Sequence, residues 1–194
     1  MTLELAEPTP QVYVPTVTTR RLSLSGWTAV DIPAYTAMAA HPDMSAYTGS
    51  PADEGAVWRM FAFQVGHWAL QGFGMWLAHD RTTGEFVGRV GLYEEYGWPG
   101  TEVAWTIRRE RWGEGLATEG GAAALEYAFE VLARERLISI IHPENAASIR
   151  VAEKLGLALA EGPVDRGGRP RNIYAITRHD WAARRQASAP ADTG

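Results

Sequence analysis

Residues 112–118 read Trp112-Gly113-Glu114-Gly115-Leu116-Ala117-Thr118, and they stand where a strand pattern gives way to a long helical one. Gly113 and Gly115 allow backbone conformations that expose successive amide groups. The start of the following helix adds unsatisfied N–H donors and the favourable end of the helix dipole. Such a nest of amides can hold a pyrophosphate. The same two glycines also suit a plain strand-to-helix turn, so the segment taken alone leaves both readings open.

Working outward, Ala117, Ala124, Leu125, Ala128, Phe129 and Leu132 recur at helical spacing after the turn. LISIIH (137–142) then reads as a short buried strand, AASIRVAEKLG (146–156) as a helix ending at Gly156, and RNIYAIT (171–177) as a last strand. Before the turn, TEVAWTI (101–107) reads as a strand following the turn GWPG. GMWLAHD (74–80) and EFVGRVGLYEEY (85–96) form a hairpin about RTTG. Further upstream, RRLSLSGW (20–27) alternates as a strand and residues 31–40 have helical character. A second helix over 54–70 is expected to place Val57, Phe61, Val65 and Trp68 on one face. The proline-rich residues 1–17 read as an extended arm, residues 18–182 as one domain and 183–194 as a disordered tail. The order is that of an α/β (α+β) chain with a mostly antiparallel meander, and several folds share it.

Composition narrows the function. Of the 194 residues, 46% are hydrophobic and 21% charged, the pattern of a soluble globular chain. The start MTLELAEPTP lacks a basic segment followed by an apolar run, and no stretch nears the roughly 18 apolar residues of a membrane span, so a cytoplasmic address is expected. The net charge of −5, from 18 Lys+Arg against 23 Asp+Glu, argues against a nucleic-acid partner and suits a cationic one such as an amine. Cysteine is absent, which removes disulfides, thiolate metal sites and a cysteine nucleophile together. No histidine and carboxylate spacing makes a metal site, so no metal is expected.

A second informative segment, His142-Pro143-Glu144-Asn145-Ala146-Ala147-Ser148, precedes Lys154-Leu155-Gly156. Asn145 suits a helix N-cap. Taken together, WGEGLATEGG (112–121) and NAASIRVAEKLG (145–156) resemble the coenzyme A-binding and second signature regions of the GNAT N-acetyltransferase superfamily, and in particular its RimJ/RimL-like branch. The similarity extends to TTRRLSL and TEVAW and covers roughly residues 18–178.

That resemblance implies the GNAT fold, a mixed, mostly antiparallel twisted sheet flanked by helices and splayed at an acetyl-CoA cleft. It implies acetyl transfer from acetyl-CoA to a primary amine, either a protein N-terminus or a small molecule, and allows a homodimer. Trp112 stands where the superfamily pattern begins with Gln or Arg, as is common in this branch. By the resemblance Gly113, Glu114, Gly115, Leu116, Ala117 and Thr118 meet the pyrophosphate, and Asn145 bonds the pantetheine arm. The free edge of the strand carrying Trp105 and Ile107 would pair with pantetheine amides. A backbone amide there would stabilise the developing oxyanion. Arg108, Arg109 and Arg111 lie just before the nest and could meet phosphate or stand as an exposed basic stretch. A noncatalytic acyl-CoA-binding module of the same fold is the alternative function.

For direct transfer the amine must lose a proton to a placed carboxylate. Glu102, which begins the strand expected at the cleft and matches the branch pattern, is the first candidate, with Glu94 and Glu95 as alternatives. Many members place a tyrosine acid seven positions after the signature Asn, but that position is Ala152. Ser148, one helical turn earlier, is the candidate donor to the departing thiolate, or else it bonds local backbone in the first turn. Trp98, Trp105, Trp58, Phe61 and Trp68 could shape an acceptor pocket or belong to the core. His142 ends a strand near the expected pantetheine and needs no catalytic role.

Overall fold

The computed structural model describes residues 12–48 and 53–188. Eight strands form one sheet in the order β1-β2-β3-β4-β5-β6-β8-β7. They are β1 (Val17–Thr18), β2 (Leu22–Ser25), β3 (Met75–Asp80), β4 (Phe86–Tyr93), β5 (Glu102–Ile107), β6 (Arg136–Ile141), β7 (Ala158–Asp165) and β8 (Pro170–Thr177). The helices are α1 (Ile32–Ala39), α2 (Pro42–Thr48), α3 (Glu54–Gln71), α4 (Leu116–Glu126), α5 (Ala146–Leu155) and α6 (Arg178–Ser188). All neighbouring strands pair antiparallel except β5 and β6, which run parallel.

Local chemistry sets the boundaries. Asp53 Oδ1 accepts the Ala56 amide at 2.7 Å to cap α3, and Gly72, at φ 72°, closes it in the left-handed region. In the β3–β4 turn, Asp80 Oδ1 accepts the amides of Thr82 and Thr83, which fixes the hairpin seen in the sequence. The face of α3 differs from the expected one. Val57, Phe61, Gln64 and Trp68 are buried, whereas Val65 is 40% exposed. At 3.6 residues per turn, Gln64 lies within about 20° of Val57 and Val65 about 80° away, so geometry outweighs polarity. Trp58 is exposed as well.

Four elements depart from the sequence reading. Residue 17, expected in the arm, joins the sheet through Val17↔Leu24; residues 1–11 lie outside the described residues. The short helix α2 follows α1, starting at Pro42 as its first residue. Strand β7 carries no alternation because it is an exposed edge held mainly by its ladder to β8, and its Gly162 and Pro163 hide it from a periodicity reading. Helix α6 extends past the expected boundary at residue 182 to Ser188, with Trp181 packed 5.0 Å from the Phe129 ring. The expected tail thus begins inside a helix, and 189–194 lie outside the described residues.

Helix α4 crosses the middle of the sheet, and two of its glycines set how closely it lies. A Cβ on Gly120 would stand 2.9 Å from Val90 Cγ1, and one on Gly121 2.7 Å from Leu155 Cδ1 of α5. Glycine in a helix interior costs up to about 1 kcal/mol against alanine, and here that cost is offset by close packing on β4 and α5. From the other side Glu119 ties α4 to the first strands. Its carboxylate accepts the Thr19 hydroxyl at 2.6 Å, the Arg21 amide at 2.7 Å and the Arg21 guanidinium at 2.7 Å.

Candidate active site

Strand β5 is paired along its whole length with β4, from Gly88↔Ile107 to Tyr93↔Glu102. On its other edge it meets β6 at the single position Glu102↔Ile138, with the Ile138 amide donating to Thr101 O at 3.0 Å. Strand β6 instead keeps full pairing with β8. The sheet therefore splits, and β5 past Glu102 presents an edge not laddered to β6.

Two cavities open at this split. One, of about 520 Å³, is lined by the residues of the glycine turn and by α5; the other, of about 590 Å³, lies toward α1, α3 and β4. Met44, Tyr47, Trp105, Thr106, Asn145 and Ser148 line both. The two spaces meet at these six residues.

The first cavity brings together Trp105, Ile107, Trp112, Gly113, Gly115, Leu116, Ala117, Thr118, Asn145 and Ser148. Gly115, at φ 80° and ψ 9°, is the residue before α4, and Gly113 has φ 83°. These left-handed conformations turn the chain sharply ahead of the helix, as an amide nest requires. Glu114 stands apart. Its carboxylate bonds Arg111 at 2.7 and 2.9 Å, and its carbonyl accepts Arg21 Nη1 at 2.8 Å, so Arg21 pins the turn to the β1–β2 region. Trp112 donates its indole N–H to Ile107 O at 2.6 Å, which occupies that carbonyl and holds the end of β5 beside the turn.

The three arginines before the turn have carboxylate partners. Arg108 pairs with Glu85 and Glu110, Arg109 with Asp43, and Arg111 with Asp80 and Glu114, although Arg111 also lines the cavity. The Arg111 hydrogen bonds hold the Glu114 carboxyl below its ordinary range, while Asp80 and Glu110 are lowered first by backbone amides, those of Thr82 and of Glu110 itself, and then by Arg111 and Arg108. Arg150 and Lys154 of α5, to which the sequence reading gave no part in cofactor binding, also line the cavity. Their separation by four residues puts them on one helical face, the signal that could have found them.

At the junction, Asn145 Oδ1 accepts the Ser148 amide at 3.1 Å and caps α5. No hydrogen bond of the Ser148 hydroxyl to the first-turn backbone is found among the described residues. Ala152 is buried and carries no donor.

Glu102 lines the second cavity and is 8% exposed. Its Oε1 accepts the Ile140 amide of β6 at 3.0 Å, and its Oε2 accepts the Trp98 indole N–H at 3.0 Å. Burial raises its pKa from 4.5 to about 7, while these two bonds and the charge of Arg89 oppose the rise. Glu94 and Glu95 line neither cavity; Glu94 accepts the Thr101 hydroxyl at 2.5 Å. Trp98, Trp105 and His142 line the cavity, whereas Phe61 and Trp68 belong to the core. Tyr35, Tyr47, Phe63 and Tyr93 join the wall in their stead. Burial and a hydrogen bond to Glu95 raise the Tyr93 phenol well above its ordinary value, so it stays protonated near neutrality. Among the described residues no cluster of His, Asp or Glu could hold a metal ion.

The frame of the site is a split, mostly antiparallel sheet with a glycine turn at the head of α4. Residues 21–158 match the family model described as the acetyltransferase (GNAT) domain, and the chain belongs to that family. It is 30% identical to an acetyltransferase from Agrobacterium tumefaciens whose crystal structure covers 88% of this chain and 99% of its own, with a TM-score of 0.76. RimL, a ribosomal L7/L12 alpha-N-protein acetyltransferase in complex with coenzyme A, shares the fold at a TM-score of 0.71 and 14% identity, over 84% of this chain and 98% of its own. YkkB of Bacillus subtilis is 34% identical over 105 residues, 53% of this chain and 60% of that protein. The chain spans about three fifths of the length of the curated relatives it matches.

Proposed function

We propose that this chain transfers an acetyl group from acetyl-CoA directly to a primary amine. The observation that carries the reading is the shared wall: Trp105, Asn145 and Ser148 face a cavity beside the amide nest and also a second cavity that holds a buried carboxylate. A pure binding module has no need of the second chamber.

The residues present fit acetyl-CoA. Gly113 and Gly115 shape the nest, Arg150 and Lys154 bring positive charge to the same cavity, and the free edge of β5 offers backbone to amide groups. Bound there, acetyl-CoA supplies an acyl thioester. Asn145, whose side-chain oxygen is engaged in the cap, has its amide N–H left to donate to the pantetheine arm.

Glu102 is the general base. A pKa near the working pH lets it be ionised and still accept a proton, and its two hydrogen bonds hold the carboxylate in one orientation. Ser148, at the junction, returns a proton to the departing thiolate directly or through water. The chain has no cysteine to carry an acyl group, so both substrates are bound together and initial-rate lines at several amine concentrations intersect. Parallel lines with an isolable acetyl-enzyme would overturn direct transfer.

The WGEGLATE and NAASIRVAEKLG segments, at the heads of α4 and α5, support placement in the RimJ/RimL-like branch. A mass-spectrometric screen with acetyl-CoA, N-terminal peptides and small amines together tests the function. Acetylation of at least one amine is expected; no acetylated product from any amine, with acetyl-CoA bound, would favour the noncatalytic module.

A further inference from the structure

The acceptor cavity has a charge pattern opposite to that of the chain as a whole. Two arginines line it, Arg89 from the middle of β4 and Arg171 from the start of β8, against the single carboxylate of Glu102. Among the described residues neither guanidinium has a carboxylate partner. Arg89 reaches only Thr106 Oγ1 at 3.4 Å and Met60 Sδ at 3.7 Å. Arg171 reaches only the carbonyls of Tyr47 at 3.2 Å and Pro170 at 3.3 Å. Burial and the neighbouring Arg169 make Arg171 easier to deprotonate than an ordinary arginine, and the charge of Glu102 offsets this only in part. A third arginine, Arg166, lies over the Trp98 ring of the same wall at 4.9 Å.

The contrast with Arg108, Arg109 and Arg111 is direct, since each of those is matched by a carboxylate. Nor do the phosphates of a cofactor account for the pair. Arg89 and Arg171 line only the second cavity, and the one beside the nest has Arg150 and Lys154 of its own. A guanidinium withdrawn from water without a counter-ion is unfavourable, and its planar donors match a carboxylate or phosphate. Tyr35, Phe63, Tyr93 and Met60 give part of the remaining wall an apolar or aromatic surface. Its volume of about 590 Å³ suits a small molecule.

We propose that the acceptor is a small primary amine that also carries an oxyanion, on an apolar or aromatic body. Arg89 and Arg171 hold the oxyanion while the amine faces Glu102. This rests on the amine-acetyltransferase reading and names the substrate class of that site. The net charge of −5, which suits a cationic ligand, is a property of the whole surface and not of this cavity.

Matched amines test it in the full chain: para-aminomethylbenzoate against its methylamide, and tyramine phosphate against tyramine. Calorimetry reads binding and coenzyme A release reads kcat/KM. The anionic member of at least one pair is expected to bind at least about ten-fold more tightly, the scale of charge-assisted bonds, and the pair that does so tells carboxylate from phosphate. In Arg89→Gln and Arg171→Gln that ratio falls toward one. Amines without the oxyanion bound as tightly as their oxyanion-bearing matches by the wild-type protein, or no binding of either oxyanion-bearing amine at millimolar concentration, would overturn the proposal. Acetylation without charge preference would leave the acetyltransferase reading standing and remove this one; anionic preference in binding without acetylation of any amine would keep an anion-binding pair at Arg89 and Arg171 but overturn both the acetyltransferase reading and the acceptor proposed here.

Discussion

The Glu102 carboxylate bonds the Ile140 amide at 3.0 Å across the gap where β5 and β6 separate. The backbones of the two strands pair at Glu102↔Ile138 and then diverge, so a side chain satisfies a donor that a ladder partner would otherwise take. The same carboxylate lines the second cavity. One residue thus ends the sheet pairing and begins the site, and burial there brings its pKa to about 7.

With Glu102 as the proposed base, Glu102→Gln is expected to lower turnover about 100-fold, within the usual range for a lost proton acceptor, with a smaller change in acetyl-CoA affinity. The wild-type profile of kcat/KM against pH should rise through a limb near pH 7, where Glu102 loses its proton, and the variant should lack that limb. Retention of the limb in the variant would assign the ionisation to another group.

Stability should follow the same proton. The folded pKa of about 7 exceeds the ordinary 4.5, so the folded state holds the proton more tightly than the unfolded chain does. The contribution is fully present below the ordinary value and is lost as pH rises through about 7. Denaturant titrations should show a loss of up to about 3 kcal/mol across that window in the wild type, and Glu102→Gln should show a correspondingly flatter dependence. Parallel curves for the two proteins would count against a buried, ionising Glu102.

Ser148→Ala is expected to reduce turnover about ten-fold or more when chemistry limits the rate, with less effect on acetyl-CoA binding. The prediction rests on its place in both cavity walls and on Ala152, which has no proton to give. Wild-type turnover in a folded Ser148→Ala enzyme would leave water as the donor.

Gly115→Trp should weaken acetyl-CoA binding strongly, as measured by calorimetry, while the fold is retained. A Cβ there meets only Arg21 Nη2 at 3.6 Å, so there is room for the first atom; the obstacle is the φ of 80° and a bulky ring beside the nest. The smaller change Gly115→Ala is expected to cost about 1 kcal/mol of stability from backbone strain alone. An unchanged affinity in Gly115→Trp would place the cofactor elsewhere.

Apart from the short helix α2, the sequence by itself determined the element order from β2 to α5, the glycine turn at 113–115, the Asn145 cap and the hairpin about Asp80. Each depends on residues within about four positions of one another, through a permitted φ, a capping oxygen or a repeat of 3.6 or 2. Elements without such a signal escaped it: β7, which is an exposed edge, and α6, which is polar apart from its one buried tryptophan. The sequence already put Glu102 first among three carboxylates; only the tertiary structure shows that it is the buried one in a cavity wall, and which arginines lack partners. Among Glu94, Glu95 and Glu102, Glu102 alone stands in the wall of the split sheet and loses its water. Arg89 and Arg171 come from strands far apart in the chain, and Arg111 differs from them only by having Asp80 and Glu114 at its side. Desolvation and charge pairing belong to the surroundings that folding assembles, and no local pattern of residues contains them.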